Sequence, residues 1–288
     1  MQRLRFINAR GAEISFDNHA PFVFWKIQGI EMPPTFSIST QASGQHGYTP
    51  HELLLEQRTV RLSAHIHGTD GVRRMYELRK SLNEVCNPLL GIGTLVYEND
   101  NGIWQIGAFC RGNPYAGKTH GVQTLDLTFE CPLPFWLSRE LSEAKLAYVD
   151  GGLEFPIITP NNFGTLGYQV HIDNDGDAPA PLEFFIDGGA LNPIIINETT
   201  GEFIRLSRHV RLRDTLYINT DPEALEVSLI TIDPETNLPQ RDNAYGYISV
   251  DSTLFRLVPG INMLKFTSDD ENKQVRIRIL FRKRYVGV

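Results

Sequence analysis

Alternation with a period of two runs through this chain and confines its fold more than any other feature. Successive side chains on a strand point to opposite faces, so a run with every second residue apolar is a strand with one face on a core. From Val60 to His67, Val60, Leu62, Ala64 and Ile66 fall on one face, and Arg61, Ser63, His65 and His67 on the other. The pattern repeats with Leu125, Leu127, Phe129 and Cys131 against Thr124, Asp126, Thr128 and Glu130, and again with Val275, Ile277, Ile279 and Phe281 against Arg276, Arg278 and Arg282. Between TLVYE and IWQIGAF, Asn99-Asp100-Asn101-Gly102 offers residues that tolerate positive φ, which predicts a hairpin.

One segment keeps a different rhythm. From Asp70 to Cys86, Val72, Met75, Leu78, Leu82 and Val85 are spaced by three or four, which places them on one helical stripe. Asp70 is the expected cap and Pro88 the stop, because the residue before a proline is pushed out of the α region. The first half is therefore strands with a single helix. Cys131-Pro132-Leu133-Pro134-Phe135-Trp136 cannot run through a central strand, and a boundary is placed just beyond it, dividing the chain into 1–138 and 139–288. The second part reads as short strand candidates (YQVHI, LEFFI, FIRL, TLYI, VSLITI, NMLKF, VRIRILF among them) with turn residues every 8 to 12 positions and no helical stripe. That punctuation predicts a β-sandwich or jelly roll. The fold class is mainly β, and 41% apolar residues over 288 positions suffice for the cores of two domains.

Composition narrows the chemistry. A net charge of -7 argues against bulk nucleic-acid binding, although Lys273, Arg276, Arg278, Arg282, Lys283 and Arg284 crowd the last stretch. No apolar run is long enough for a membrane span, and no apolar stretch follows the basic residues of MQRLRFINARGAEISF as an export signal would require. Cys86, Cys110 and Cys131 are three, without C-x-x-C spacing, and read as buried thiols of a protein made in a reducing cytoplasm.

Each motif with a chemical reading has a plainer one beside it. His65 and His67 could supply two metal ligands from one strand face, but no carboxylate or further His lies near in sequence, so they read as solvent-exposed strand histidines. Asp173-Asn174-Asp175-Gly176-Asp177 resembles the opening of a calcium loop, yet Ala178 and Phe184 stand where Gly and an acidic residue are needed, and a tight turn with Asx hydrogen bonds is expected. Gly91-Ile92-Gly93 lacks the third glycine of a phosphate loop and reads as a turn; Asn197-Glu198-Thr199 is a formal glycosylation sequon. The run VRIRILFRKRYVGV could be an anionic-surface patch, but a last strand with an Arg-bearing outer face, partly balanced by Asp269, Asp270 and Glu271, needs no ligand. No nucleophile elbow, H-E-x-x-H helix or P-loop is present. Catalytic, cofactor-binding and metal residues are therefore all assigned as none, and no cofactor is expected.

Taken in order, a longer series of residues becomes recognisable. It comprises Arg58-Thr59 opening a strand after an irregular segment, the helix from about Arg73 to Val85, Asn87-Pro88-Leu89, Gly93-Thr94-Leu95-Val96-Tyr97, and Pro134-Phe135-Trp136. It continues with Asn174 to Pro179, Asn192-Pro193, Asn197 to Gly201, Leu216-Tyr217-Ile218-Asn219-Thr220, and Phe255 to Asn262. The series resembles the distal tail protein family of siphophages and related tail-like particles, adaptors whose ring caps the tail tube. The resemblance implies an N-terminal belt domain (1–138), a partly open β-barrel or sandwich with one α-helix, that assembles as a homohexameric ring. It implies a C-terminal galectin-like β-sandwich (139–288) pointing outward. Its implied partners are the major tail tube protein, the tail-tip hub or tail-associated protein, and receptor-binding or baseplate proteins, in the virion after assembly in the host cytoplasm, with no sequence-specific nucleic acid and no membrane. The alternative it leaves open is a lectin-like module attaching the tail tip to cell-wall polysaccharide. Longer relatives carry inserted carbohydrate-binding modules; the two domains account for the 288 residues here, so sugar binding by such an insert is not expected.

A ring made of β-rich subunits suggests its own contact. Heterologous interfaces close into rings, and exposed strand edges offer backbone groups for a neighbour to complete, so strands within residues 1–137 are expected to join the subunits. Six copies at -7 each give a nominal -42, so an acidic lumen that lets DNA pass without holding it is expected.

Overall fold

The structure is a computed structural model, and it describes residues 2–68, 71–112, 115–119, 122–146, 148–149, 167–233, 236–270 and 275–288. It separates into two compact units, Met1–Arg139 together with Arg284–Val288, and Glu140–Lys283.

The first unit opens with β1 (Arg3–Ile7), β2 (Glu13–Phe16), β3 (Phe22–Gln28), β4 (Thr35–Thr40), β5 (Thr49–Leu55) and β6 (Arg58–His67). After α1 (Val72–Val85) come β7 (Gly93–Asn99), β8 (Gly102–Cys110), β9 (Tyr115–Thr119), β10 (Val122–Cys131) and β11 (Trp136–Ser138). The antiparallel path runs β2-β1-β7-β8-β10-β6-β3, with β9 on β10 and β11 on β8. Its two ends meet only at an isolated parallel bridge, Asp17 with Val23, so the sheet curls without closing into a barrel. The apolar faces fill one core: Val60, Leu62, Ala64 and Ile66 of β6 and Leu125, Leu127, Phe129 and Cys131 of β10 are all buried, while the intervening polar residues are not. Register pairs Leu62 with Leu127 and Ala64 with Leu125 on that face.

Helix α1 lays Met75, Leu78, Leu82 and Val85 on this core, whereas Val72 at the open end of the stripe is 44% exposed. The expected cap, Asp70, lies outside the described residues; the cap position is occupied by Gly71, at φ 100°, with no side-chain hydrogen bond. The stop is as the sequence predicts: Asn87 accepts from the Leu89 N–H and Pro88 follows it. Asn8 ties the helix end to the β1–β2 turn, its Oδ1 accepting from Arg10 N and Ala12 N and its Nδ2 donating to Val85 O. The β7–β8 hairpin forms where expected, but by a different device. None of its four turn residues has positive φ, and the Asn99 side chain instead accepts from the Asn101 N–H at 2.8 Å.

The second unit is a sandwich. Its strands are β12 (Ser142–Leu146), β13 (Tyr148–Val149), β14 (Gly167–Asn174), β15 (Leu182–Asp187), β16 (Ala190–Leu191), β17 (Ile194–Asn197) and β18 (Glu202–Arg205). There follow β19 (His209–Val210), β20 (Thr215–Asn219), β21 (Glu226–Ile232), β22 (Pro239–Asn243), β23 (Gly260–Thr267) and β24 (Arg276–Phe281). One sheet runs β12-β24-β15-β20-β21-β22 and the other β13-β14-β23-β17-β18, with a small β16–β19 pair beside them. Phe184, Ile277 and Ile279 of the first sheet and Ile195, Leu264 and Phe266 of the second share one core.

Three asparagines, Asn174, Asn197 and Asn262, have no exposed surface at all. Asn174 donates to Ala178 O and Leu257 O, Asn262 donates to Val258 O and Gly260 O, and Asn197 donates to Asn262. A buried amide is tolerable only when such partners are in place. These asparagines hold the strand ends where β14, β17 and β23 adjoin.

The sequence-based division fails at one end. After β24 the chain leaves the sandwich and forms β25 (Arg284–Tyr285), which pairs with β11 through Trp136–Tyr285 and Leu137–Arg284. Residues 284–288, assigned above to the 139–288 domain, therefore complete the first unit. Periodicity reports which face a strand buries but not which sheet it joins.

Candidate functional site

Strands β4 and β5 form a hairpin that pairs with no other strand among the described residues. The sequence reads the segment before Arg58 as irregular; it is the second strand of this hairpin, whose His51-Glu52-Leu53-Leu54-Leu55 does not alternate although Phe36 and Ile38 of the first strand do. Register places Phe36 opposite Leu54 and Ile38 opposite Glu52 on one face, and Ser37 opposite Leu53 on the other. Phe36, Ile38 and Leu54 are 52%, 45% and 43% exposed, and Leu53 is 68% exposed. A free two-stranded ribbon is marginal in water. This one is trimmed by local bonds, Thr40 Oγ1 to His51 Nε2 at 2.7 Å and the Gln45 amide to Ala42 N and Thr49 Oγ1. An arm with an apolar face and two open edges is built to be covered.

The root of the arm is fixed by Arg58, whose side chain lies within the first unit at 1% exposure for the whole residue. Its Nη1 donates to Gly29 O at 2.7 Å and to Glu31 O, its Nε to Pro134 O at 2.9 Å, and its Nη2 to Val286 O. The guanidinium also lies over the Trp136 ring, 5.7 Å from its centroid. One side chain thus gathers the arm root, the Pro134 turn and the final segment. Gly29 is forced to be glycine: at φ 87° a Cβ would sit 2.0 Å from Thr59 O.

The motifs read from sequence fall elsewhere. His65 and His67 do share one face of β6, their rings 5.9 Å apart, and the half-exposed Trp25 stacks on His65 at 4.0 Å. Burial and the neighbouring His67 lower the His65 pKa. Among the described residues no group of three or more His, Cys, Asp or Glu side chains is placed to hold a metal ion. The calcium-like segment is a turn: Asn174 Oδ1 accepts from Gly176 N, and Asp175 pairs with Lys283 at 2.6 Å. The sequon residue Asn197 is buried. Gly91, at φ 88°, ends a 3-10 turn (Pro88–Leu90). On β24, Arg278 lies over Phe185. Asp269 and Asp270, expected to balance those arginines, instead bind Asn192 and Leu191, and Glu271 lies outside the described residues. No described helix is long and apolar enough to cross a membrane.

All three cysteines are free and buried. The hydrogen bond with Cys110, together with burial, pushes the Cys86 thiol up, and burial pushes Cys131 up to about 12. At pH 8 these two sit below their raised pKa values and stay protonated, and the thiolate is the reactive form. The Cys86 hydrogen bond lowers the Cys110 pKa instead, so a thiol-specific disulfide reagent at pH 8 is expected to leave Cys86 and Cys131 of the native protein unmodified over minutes and to titrate all three thiols once urea is added. Rapid native labelling of Cys86 or Cys131 would contradict the burial described.

Comparison with known proteins agrees with this architecture. The family model for the siphovirus-type tail component, C-terminal domain, matches residues 175–285. In fold the chain is similar to the Dit protein of phage SPP1, described as a paradigm of the hub adsorption apparatus of phages that infect Gram-positive bacteria, with a TM-score of 0.69 at 11% identity over 99% of each chain. It is also similar to a chain of the phage P2 baseplate in its activated conformation with Ca, with a TM-score of 0.54 at 11% identity over 100% of this chain and 99% of that one. A search of the curated proteins found no match. The two units, a curled sheet with one helix and a sandwich, thus share their fold with these phage tail proteins. The match to the siphovirus-type tail component family falls almost wholly within the second unit.

Proposed function

We propose that this chain assembles through its first unit into a homohexameric ring at the distal end of the tail, joining the tail tube protein to the tail-tip hub and to receptor-binding or baseplate proteins. The β4–β5 arm carries the reading. Its apolar face meets a different surface on the next copy, a heterologous contact that closes into a ring when its rotation divides the circle. The division into a belt unit and an outer sandwich, and assembly in the host cytoplasm, belong to the same proposal. The role is mechanical, and a ring with a nominal charge of -42 lets DNA pass without capturing it.

The lectin alternative is weaker for one reason. A sugar stacks on a bare aromatic face, but on the second unit Phe185 carries Arg278, Tyr217 carries Arg241 and Tyr247 carries Arg208, with each guanidinium carbon 4.2–4.9 Å from its ring centroid.

Light scattering and negative-stain imaging of the purified chain test the proposal. Six protomer masses and six-fold rings are expected. A monomer persisting at tens of micromolar, or a two-fold dimer, would refute it.

A further inference from the structure

The segment that returns from the sandwich does more than extend a sheet. Val288 N donates to Ile30 O at 3.2 Å, and its side chain packs against the first core, as does that of Tyr285. Gly287 lies flat on the arm root: a Cβ there would stand 3.3 Å from Glu31 C and 3.4 Å from Glu31 Cα and Met32 N. Val286 O receives the Arg58 guanidinium that also holds Gly29 O and Glu31 O. Tyr285 sits edge-on to Trp104 at 6.3 Å, and Arg284, 7% exposed, lies over Phe135 at 5.4 Å. Residues 29–32, which lead into β4, are thus pressed between Arg58 and a strand contributed from beyond the second unit.

We propose that Arg284–Val288 is a latch: it holds the arm root in the conformation that docks on a neighbour, so ring assembly is conditional on a finished sandwich delivering this segment. The physical basis is that Gly29, Ile30 and Glu31 spend their backbone carbonyls on Arg58 and Val288 rather than on a strand ladder. Without the returning strand, Ile30 O loses its donor and the Arg58 fork one of its acceptors, and a segment with so few other bonds opens locally. The assembly half of the inference rests on the ring reading given above; the structural half does not.

Hydrogen exchange by mass spectrometry, run beside light scattering, tests it on three proteins: the unaltered chain, a chain ending at Lys283, and the full chain with Gly287→Leu. Both altered chains are expected to exchange about 10-fold faster or more across residues 29–36, to keep the protection of β14, β15 and β23, and to lose the ring mass at concentrations where the unaltered chain has it. If the shortened chain does not fold, Gly287→Leu decides alone. Unchanged exchange at 29–36 overturns the latch, as does a ring that persists although 29–36 has loosened. Should the unaltered chain itself be monomeric, the ring reading fails, and the exchange at 29–36 still decides whether the segment is a latch.

Discussion

Phe36→Asp is expected to leave a folded monomer where the unaltered chain forms rings. Phe36 is half exposed in the single chain, so its replacement changes the stability of the first unit by no more than about 0.5 kcal/mol. In a ring the same position lies under the neighbour. Losing the burial of one large apolar side chain costs about 2 kcal/mol, and a desolvated carboxylate without a partner adds more. The association constant should fall by at least roughly 100-fold. Leu53→Asp is the internal control, because Leu53 stands on the opposite face of the hairpin. The Phe36 face, with Ile38 and Leu54 beside it, is the larger apolar surface, so Phe36→Asp should be the more damaging of the two. Analytical ultracentrifugation over a concentration series measures both. A Phe36→Asp chain with the ring mass of the unaltered protein would remove the arm from the interface.

Arg58→Met is expected to be the most destabilising single change in the first unit. Methionine keeps much of the stem's volume but no donor, so the carbonyls of Gly29, Glu31, Pro134 and Val286 lose the guanidinium they share. Each buried acceptor left without a partner costs about 1–3 kcal/mol. Allowing for partial relaxation, the sum is on the order of 4 kcal/mol, enough to lower the melting temperature by roughly 10 °C. Calorimetry should show the loss in the first unit, with the transition of the sandwich in place. Arg58→Lys should recover little, since one ammonium cannot span four carbonyls set by a planar fork. A melting curve unchanged by Arg58→Met would mean that the four segments are held by something else.

Much of the fold was legible because burial on one face imposes a period. The faces of β6, β10 and β24 and the stripe of α1 follow directly from the spacing of Val60–Ile66, Leu125–Cys131, Val275–Phe281 and Met75–Val85. Asn174, Asn197 and Asn262 were legible in another way, as members of a series that resembled a family. Their role as buried bridges, however, appears only when the carbonyls they meet are brought together. The arm was the principal omission. Phe36 and Ile38 do alternate with Ser37 and Ser39 in β4, but its partner strand, with HELLLE, gave no periodic signal to pair with it.

The chain by itself determined a mainly β protein with one helix, because side-chain period depends only on neighbours along the backbone. Tertiary structure alone decided which distant pieces share a carbonyl, a sheet edge or a core. It returned Arg284–Val288 to the first unit, set Arg58 among four segments far apart in sequence, and left the β4–β5 ribbon uncovered. Those pairings turn on distances in space between residues as far apart in sequence as Ile30 and Val288, and no local pattern encodes them.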